Sequence, residues 1–110
     1  MKLELLQVAC GKSVVPVATV GIRINGEVHT STATGNGPID AAFTAVKQLI
    51  SKTVHLEEFL IQAITKGNDD IGKVHIQIEH QEKIYYGFSA HTDIVTASVE
   101  AFIDAISKIK

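Results

Sequence analysis

The apolar residues of this chain recur with two different periods, and the switch from one to the other happens twice. After Pro16, "VATVGIRI" puts Ala18, Val20, Ile22 and Ile24 at alternate positions, the period of a strand with one covered face. The preceding "LELLQVAC" reads as a short strand. "NGE" at Asn25 to Glu27 follows at once. Asn-Gly between strand-like runs predicts a hairpin, because both residues tolerate positive φ, and makes "VHTSTAT" the antiparallel partner. From Ile39 the spacing turns helical: Ile39, Ala42, Phe43, Val46, Leu49 and Ile50 share a face, while Lys47, Gln48 and Ser51 point elsewhere.

The second half repeats this order. "HLEEFLIQAIT" is strand-like, "NDDIG" reads as a turn, and "KVHIQIEH" alternates Val74, Ile76 and Ile78 against His75, Gln77 and Glu79. Another hairpin leads to "KIYYGFSA", where Tyr85 and Tyr86 face opposite ways, one of them toward the core. Ile94, Ala97, Ser98, Ala101, Phe102, Ala105, Ile106 and Ile109 then trace one face of a final helix. Placing Ile39 on Ile94, 55 positions later, also places Ala42 on Ala97. The expected fold is α+β, one domain over 1–110 built as a tandem βββα duplication with pseudo-repeats of about 1–52 and 53–110. Its antiparallel sheets carry two helices on one face only. Val17, Phe59, Ile61 and Ala63 add apolar positions beyond a single alternating set, so the packing is expected to be completed in a homodimer.

Composition narrows the function classes. The 110 residues are enough for one core, and 45% apolar with 20% charged residues is ordinary for a globular chain. A net charge of -2, with ten basic and twelve acidic residues mixed along the sequence, leaves no basic stripe for nucleic acid. With a single cysteine and no apolar run near the roughly 18 residues of a membrane span, the expectation is a soluble cytoplasmic protein. His75 and His80 face opposite ways on a strand, and Cys10 has no Cys or His at ligand spacing, so no metal is expected. No stretch resembles a nucleophile elbow, and Asp69 with Asp70 reads as a solvated turn rather than an acid-base pair. Neither catalysis nor a cofactor is expected of this chain.

The stretch "TGNGPIDAAF" invites a phosphate-loop reading that fails in detail. A P-loop needs Gly-Lys followed by Ser or Thr, and here Pro38 and Ile39 follow Gly37. The dinucleotide fingerprint lacks its third small residue and the parallel crossover it belongs to. What remains is a helix start: Gly37 at the N-cap, Pro38 at the first helical position and Asp40 in the first turn. Such a start is a tight turn, and its free N–H groups equally suit a small carboxylate. In "SAHTDIVTAS", Thr92 reads as the second N-cap with Asp93 in the first turn. There the choice lies between simple capping and helping to surround a zwitterion, whose ammonium needs an acceptor and whose carboxylate needs donors.

Together, "GNGPIDAAFTAV" and "HTDIVTASVEAFIDAI" resemble the C-terminal regulatory domain of 2-isopropylmalate synthases and the related citramalate synthases, over essentially all 110 residues. The resemblance implies an intertwined dimer that binds the end-product amino acid at its interface and inhibits a distant catalytic barrel. Leucine is implied for isopropylmalate synthases and isoleucine for citramalate synthases. It carries the ligand-responsive positions onto Gly35, Gly37, Pro38, Ile39, Asp40 and Ala42 in the first motif, and onto Thr92, Asp93, Ile94 and Ala97 in the second. The implied barrel, with its His-x-His metal ligands, has no counterpart in these residues. The chain thus reads as an excised regulatory domain or a stand-alone relative, and its rival role is a structural dimerisation domain without a ligand.

Overall fold

The computed structural model describes residues 1–66 and 69–109, with side chains described outside 64–70. Its elements run β1 (Lys2–Gly11), β2 (Val14–Ile24), β3 (Glu27–Thr34), α1 (Pro38–Leu49), β4 (His55–Lys66), β5 (Asp69–His80), β6 (Lys83–His91) and α2 (Ile94–Ser107). They form two antiparallel sheets, β1-β2-β3 and β4-β5-β6, and two compact units, Met1–Thr53 and Val54–Lys110. This is the expected βββα order, twice.

In the first unit, alternation on β2 sends Ala18, Val20 and Ile22 to zero exposure beneath α1, which lies over β2 and β3. The hairpin forms as expected, with Asn25 at φ 52° and Gly26 at φ 86° and Ile24 paired with Glu27. On the opposite face, Arg23 Nε donates to Glu4 Oε1 at 2.9 Å beside a bulge in β1; this bond holds the Glu4 carboxyl below its ordinary value.

In the second unit, Val74, Ile76 and Ile78 form the matching buried row of β5, under an α2 that lies over β6 and β5. Tyr85 is half-buried on the helix side and Tyr86 is exposed on the other. The buried face of α2 is wider than its spacing predicts, since Val99 and Ile103 join the expected residues. Ser98 is fully buried among them, its hydroxyl donating to the Ile94 carbonyl at 2.7 Å.

The expected turn "NDDIG" is corrected. Asn68 lies outside the described residues, but Asp69 to Gly72 belong to β5 and pair with Lys66 to Ala63 of β4. Asp and Gly are poor strand residues, yet continuation of the ladder overrides a propensity spread of only about 1 kcal/mol. Asp69 and Asp70 are thus strand residues rather than a solvated turn.

The second hairpin turns on Gln81 (φ 51°) and Glu82 (φ 67°), two ordinary residues where the first hairpin uses Asn-Gly. Left-handed backbone costs a residue with a Cβ roughly 1–2 kcal/mol. Replacing both, Gln81→Asn with Glu82→Gly, is therefore expected to raise stability by about 1 kcal/mol, after the greater freedom of the unfolded glycine is allowed for. Chemical denaturation midpoints at equal slope check it.

Candidate functional site

The two helix entrances proposed from sequence are built differently, and the difference is chemical. At α1, Gly37 is the N-cap with extended backbone, Pro38 opens the helix, and no side chain caps it. The first intrahelical bond is Ala41 N–H to Gly37 O at 2.9 Å. The N–H groups of Ile39 and Asp40, which a capping side chain normally serves, therefore face the entrance. The loop before it is held on both sides. Gly35 N–H donates to the Pro16 carbonyl at 3.2 Å, and Asn36 N–H donates to Asp40 Oδ2 at 2.9 Å. Asp40 thus turns one carboxylate oxygen back on the loop.

The two glycines of this loop do separate jobs. A Cβ on Gly35 would lie 2.5 Å from the Ala41 nitrogen and 2.6 Å from Asp40 Oδ2, so the loop closes onto the helix only because that atom is missing. A Cβ on Gly37 would meet nothing within 4 Å. Its bareness is not demanded by packing, and it leaves open space in front of unserved N–H groups.

At α2 the expected cap is corrected: the N-cap is Asp93, not Thr92, which stands one residue before the cap. Asp93 Oδ1 accepts from Val95 N–H at 3.2 Å and Oδ2 from the Thr96 hydroxyl at 2.6 Å. Its own N–H donates to His91 Nδ1 at 2.9 Å. Asp is at least as good an N-cap as Thr, and the Asp-x-x-Thr spacing is the signal that favours it here. Thr96 and His91 are the residues the sequence reading missed.

The Thr96 bond, helped by the Val95 and Thr96 backbone and the nearby His91, holds the Asp93 carboxyl below its ordinary value against the opposing effect of partial burial. A depressed folded-state value means the cap's contribution is complete above the unfolded value near about 3.9 and is lost as pH falls through the lower folded value. Asp93→Asn, which keeps the acceptor without the titration, is expected to flatten the fall of Tm below about pH 4, whereas Asp93→Ala costs about 1 kcal/mol at neutral pH. Thermal melts from pH 7 to pH 2 check both.

The remaining predicted residues divide by burial. Ile39 and Ile94 are half-buried at the first helical turns, and Ile94 sits directly over Gly72, where a Cβ would fall 1.9 Å from Ile94 Cδ1. Ala42 and Ala97 are fully buried within their own units, so they set how closely each helix packs. Pro38 is half-buried, and Thr92 is exposed. The six residues of the first motif thus share one loop and helix start in the first unit, and the four of the second share another in the second unit.

A separate groove of about 470 Å³ crosses the face of the second sheet opposite α2, lined by Glu58, Leu60, Gln62, His75, Gln77 and Tyr86. None of the sequence-predicted residues lines it. Among the described residues no group of three or more His, Cys, Asp and Glu is placed to hold a metal, and no helix is long and apolar enough to cross a membrane.

The chain is similar to known proteins along nearly its whole length. The chain is 54% identical over 109 residues to a 2-isopropylmalate synthase of Parabacteroides distasonis, covering 98% of this chain and 22% of the relative. It is 43% and 40% identical to 2-isopropylmalate synthases of Trichodesmium erythraeum and Thermosynechococcus vestitus, covering 98% of this chain and 20% of each. It therefore spans about a fifth of the length of these relatives. The family model described as the LeuA allosteric (dimerisation) domain matches residues 1–110, and the chain belongs to that family.

Proposed function

We propose that this chain is the effector-binding module of a 2-isopropylmalate synthase, that it works as a homodimer, and that it binds leucine to feedback-inhibit leucine biosynthesis. The observation that carries the reading is the bare, uncapped entrance of α1 at Gly37, where packing has no need of a glycine. Its N–H groups and the positive end of the helix suit a carboxylate. At the entrance of α2 in the second unit, Asp93 is an ionised acceptor, the chemistry an ammonium group needs. The half-buried Ile39 and Ile94 supply aliphatic contact, Gly35, Pro38, Asp40 and Thr92 shape the entrances, and Ala42 with Ala97 fixes the helix positions behind them.

Leucine is favoured over isoleucine because the named relatives are isopropylmalate synthases. The module itself performs no reaction and needs no cofactor; the acetyl-CoA-dependent condensation belongs to the attached barrel. Inhibition follows if leucine binds one state of the full synthase more tightly than the other, since equal affinity shifts nothing. Calorimetric titration with leucine, isoleucine and valine tests the ligand. Leucine is expected to give the tightest isotherm, and a folded dimer that gives no heat with any of the three would sink the reading.

A further inference from the structure

We propose that the Asn36–Gly37 peptide is a self-modification site: its asparagine deamidates through a cyclic imide and leaves a permanent negative charge at the entrance of α1. The modification stands on the geometry of the loop, and its effect on an amino-acid ligand rests on the effector reading. Of the chain's three asparagines, Asn25 and Asn36 precede a glycine. In this chemistry the backbone nitrogen of the next residue attacks the asparagine side-chain carbonyl carbon, and glycine is the best neighbour because no Cβ hinders the approach. A C–N bond closes the succinimide ring, and the side-chain amide nitrogen takes up the proton given by the backbone nitrogen and leaves as ammonia. Solvent water then opens the ring at either carbonyl, giving aspartate or isoaspartate, with nothing oxidised or reduced.

The Asn36–Gly37 peptide meets each requirement. Asn36 is exposed and belongs to no strand or helix. The Gly37 N–H has no hydrogen-bond acceptor among the described residues, and a Cβ on Gly37 would meet nothing within 4 Å, so there is room for a ring. Gly37 stands extended before Pro38, at φ -165° and ψ 175°, which keeps this peptide out of the helix ladder. The bond from Asn36 N–H to Asp40 Oδ2 anchors the preceding peptide and leaves the reacting one untied.

Asn25–Gly26 has the same two residues in a different setting. It too is exposed, and its glycine N–H is equally unbonded among the described residues. But both residues sit at positive φ, 52° and 86°, in a turn closed by the Ile24–Glu27 pair, and Arg23 Nη1 donates to the Gly26 carbonyl at 3.1 Å. Ring closure requires the asparagine ψ to turn until its side chain meets the next nitrogen, and in the hairpin that rotation breaks the turn. No ladder opposes it at Asn36. There, aspartate adds a carboxylate beside Asp40, at the entrance where the N–H groups of Ile39 and Asp40 are unserved. Isoaspartate also lengthens the backbone by a methylene, in a loop so close to the helix that Gly35 has no room for a Cβ. Either product repels the carboxylate of a ligand at this entrance.

Ageing the whole chain in mildly alkaline buffer, followed by peptide mapping with mass spectrometry and isoaspartate labelling, tests the assignment. Asn36 is expected to deamidate at least about tenfold faster than Asn25, where loss of the turn and of the Arg23 bond adds to the barrier. Asn36→Gln, whose longer side chain closes the ring poorly, is expected to stay unmodified at this position. Calorimetric titration reads the consequence: Asn36→Asp is expected to bind leucine about fivefold more weakly than the fresh parent, the scale of one added unit charge near the ligand carboxylate in water. The aged parent loses affinity as the modification accumulates, while aged Asn36→Gln keeps its starting affinity. The site is overturned if Asn36 stays intact, or deamidates no faster than Asn25. The charge effect is overturned if Asn36→Asp binds leucine like the parent. A folded parent that never binds leucine overturns the effector reading and the ligand effect together, and the mapping still upholds or overturns the modification site by itself.

Discussion

Gly87→Ala is expected to destabilise the second unit by about 3 kcal/mol, at the upper end of ordinary overpacking, and to lower Tm by roughly 15 °C. A Cβ at this position on β6 would lie 2.0 Å from the Ala101 carbonyl oxygen and 2.7 Å from the Ala105 nitrogen, both backbone atoms of α2. No rotamer change relieves such a contact, so the helix must lift off the sheet. Ala97, Ala101 and Ala105 repeat at four-residue spacing and are all fully buried, which is what allows α2 to come so close. Trimming the helix instead does not help: Gly87→Ala with Ala105→Gly removes the 2.8 Å contact with the Ala105 side chain but leaves the 2.0 Å clash, and adds a helical glycine. The double variant is expected to be no more stable than the single one. Guanidinium denaturation followed by circular dichroism reads both, and a Gly87→Ala chain within 0.5 kcal/mol of the parent, roughly the scale of a neutral surface change, would show that α2 is not seated there.

Gly37→Ser is expected to separate binding from stability by moving them in opposite directions. Serine is a preferred N-cap and adopts the extended backbone found at Gly37, so its hydroxyl accepts from the N–H groups at the second and third helical positions, Ile39 and Asp40. Stability should therefore hold or rise by a few tenths of a kcal/mol. The same hydroxyl takes the donors assigned to the leucine carboxylate, and losing a charge-assisted bond there should weaken leucine at least about tenfold. Gly35→Ala is the contrasting variant, because its Cβ would strike the Ala41 backbone and Asp40 Oδ2 and cost about 1–3 kcal/mol whether or not a ligand exists. A dimerisation domain without an effector predicts no binding change for Gly37→Ser and the same instability for Gly35→Ala. Titration and melting of the two variants side by side decide between the roles.

Reading the sequence recovered what depends on neighbours along the chain. Alternation on β2 and β5, the Asn25-Gly26 hairpin and the Gly37-Pro38 helix start are local signals, and each appears in the structure where the residues put it. Signals that need a second element were illegible. Gly87 passes unnoticed within the strand-like "KIYYGFSA" and Gly72 within the expected turn, until the backbone of α2 and Ile94 are seen to rest on them. Asp69 and Asp70 look like turn residues because their pairing with Lys66 and Thr65 is set by the rest of the β4–β5 ladder. Thr92 and Asp93 are adjacent, both competent caps, and only the Thr96 and His91 hydrogen bonds show that the chain enters the helix at Asp93. Of the candidate site, the two helix entrances were legible from the motifs, but the contrast between an open entrance and a self-capped one was not.

Asp104 and Lys108 guard one edge of the second sheet: the Asp104 carboxylate accepts from the Phe88 N–H at 3.0 Å and the Lys108 ammonium donates to the Tyr86 carbonyl at 2.6 Å. A bare strand edge is a template on which a strand of another molecule can pair, the first step toward aggregation. Two charged side chains at the C-terminal end of a helix thus act as gatekeepers, taking up backbone groups of β6 that a stray strand would need.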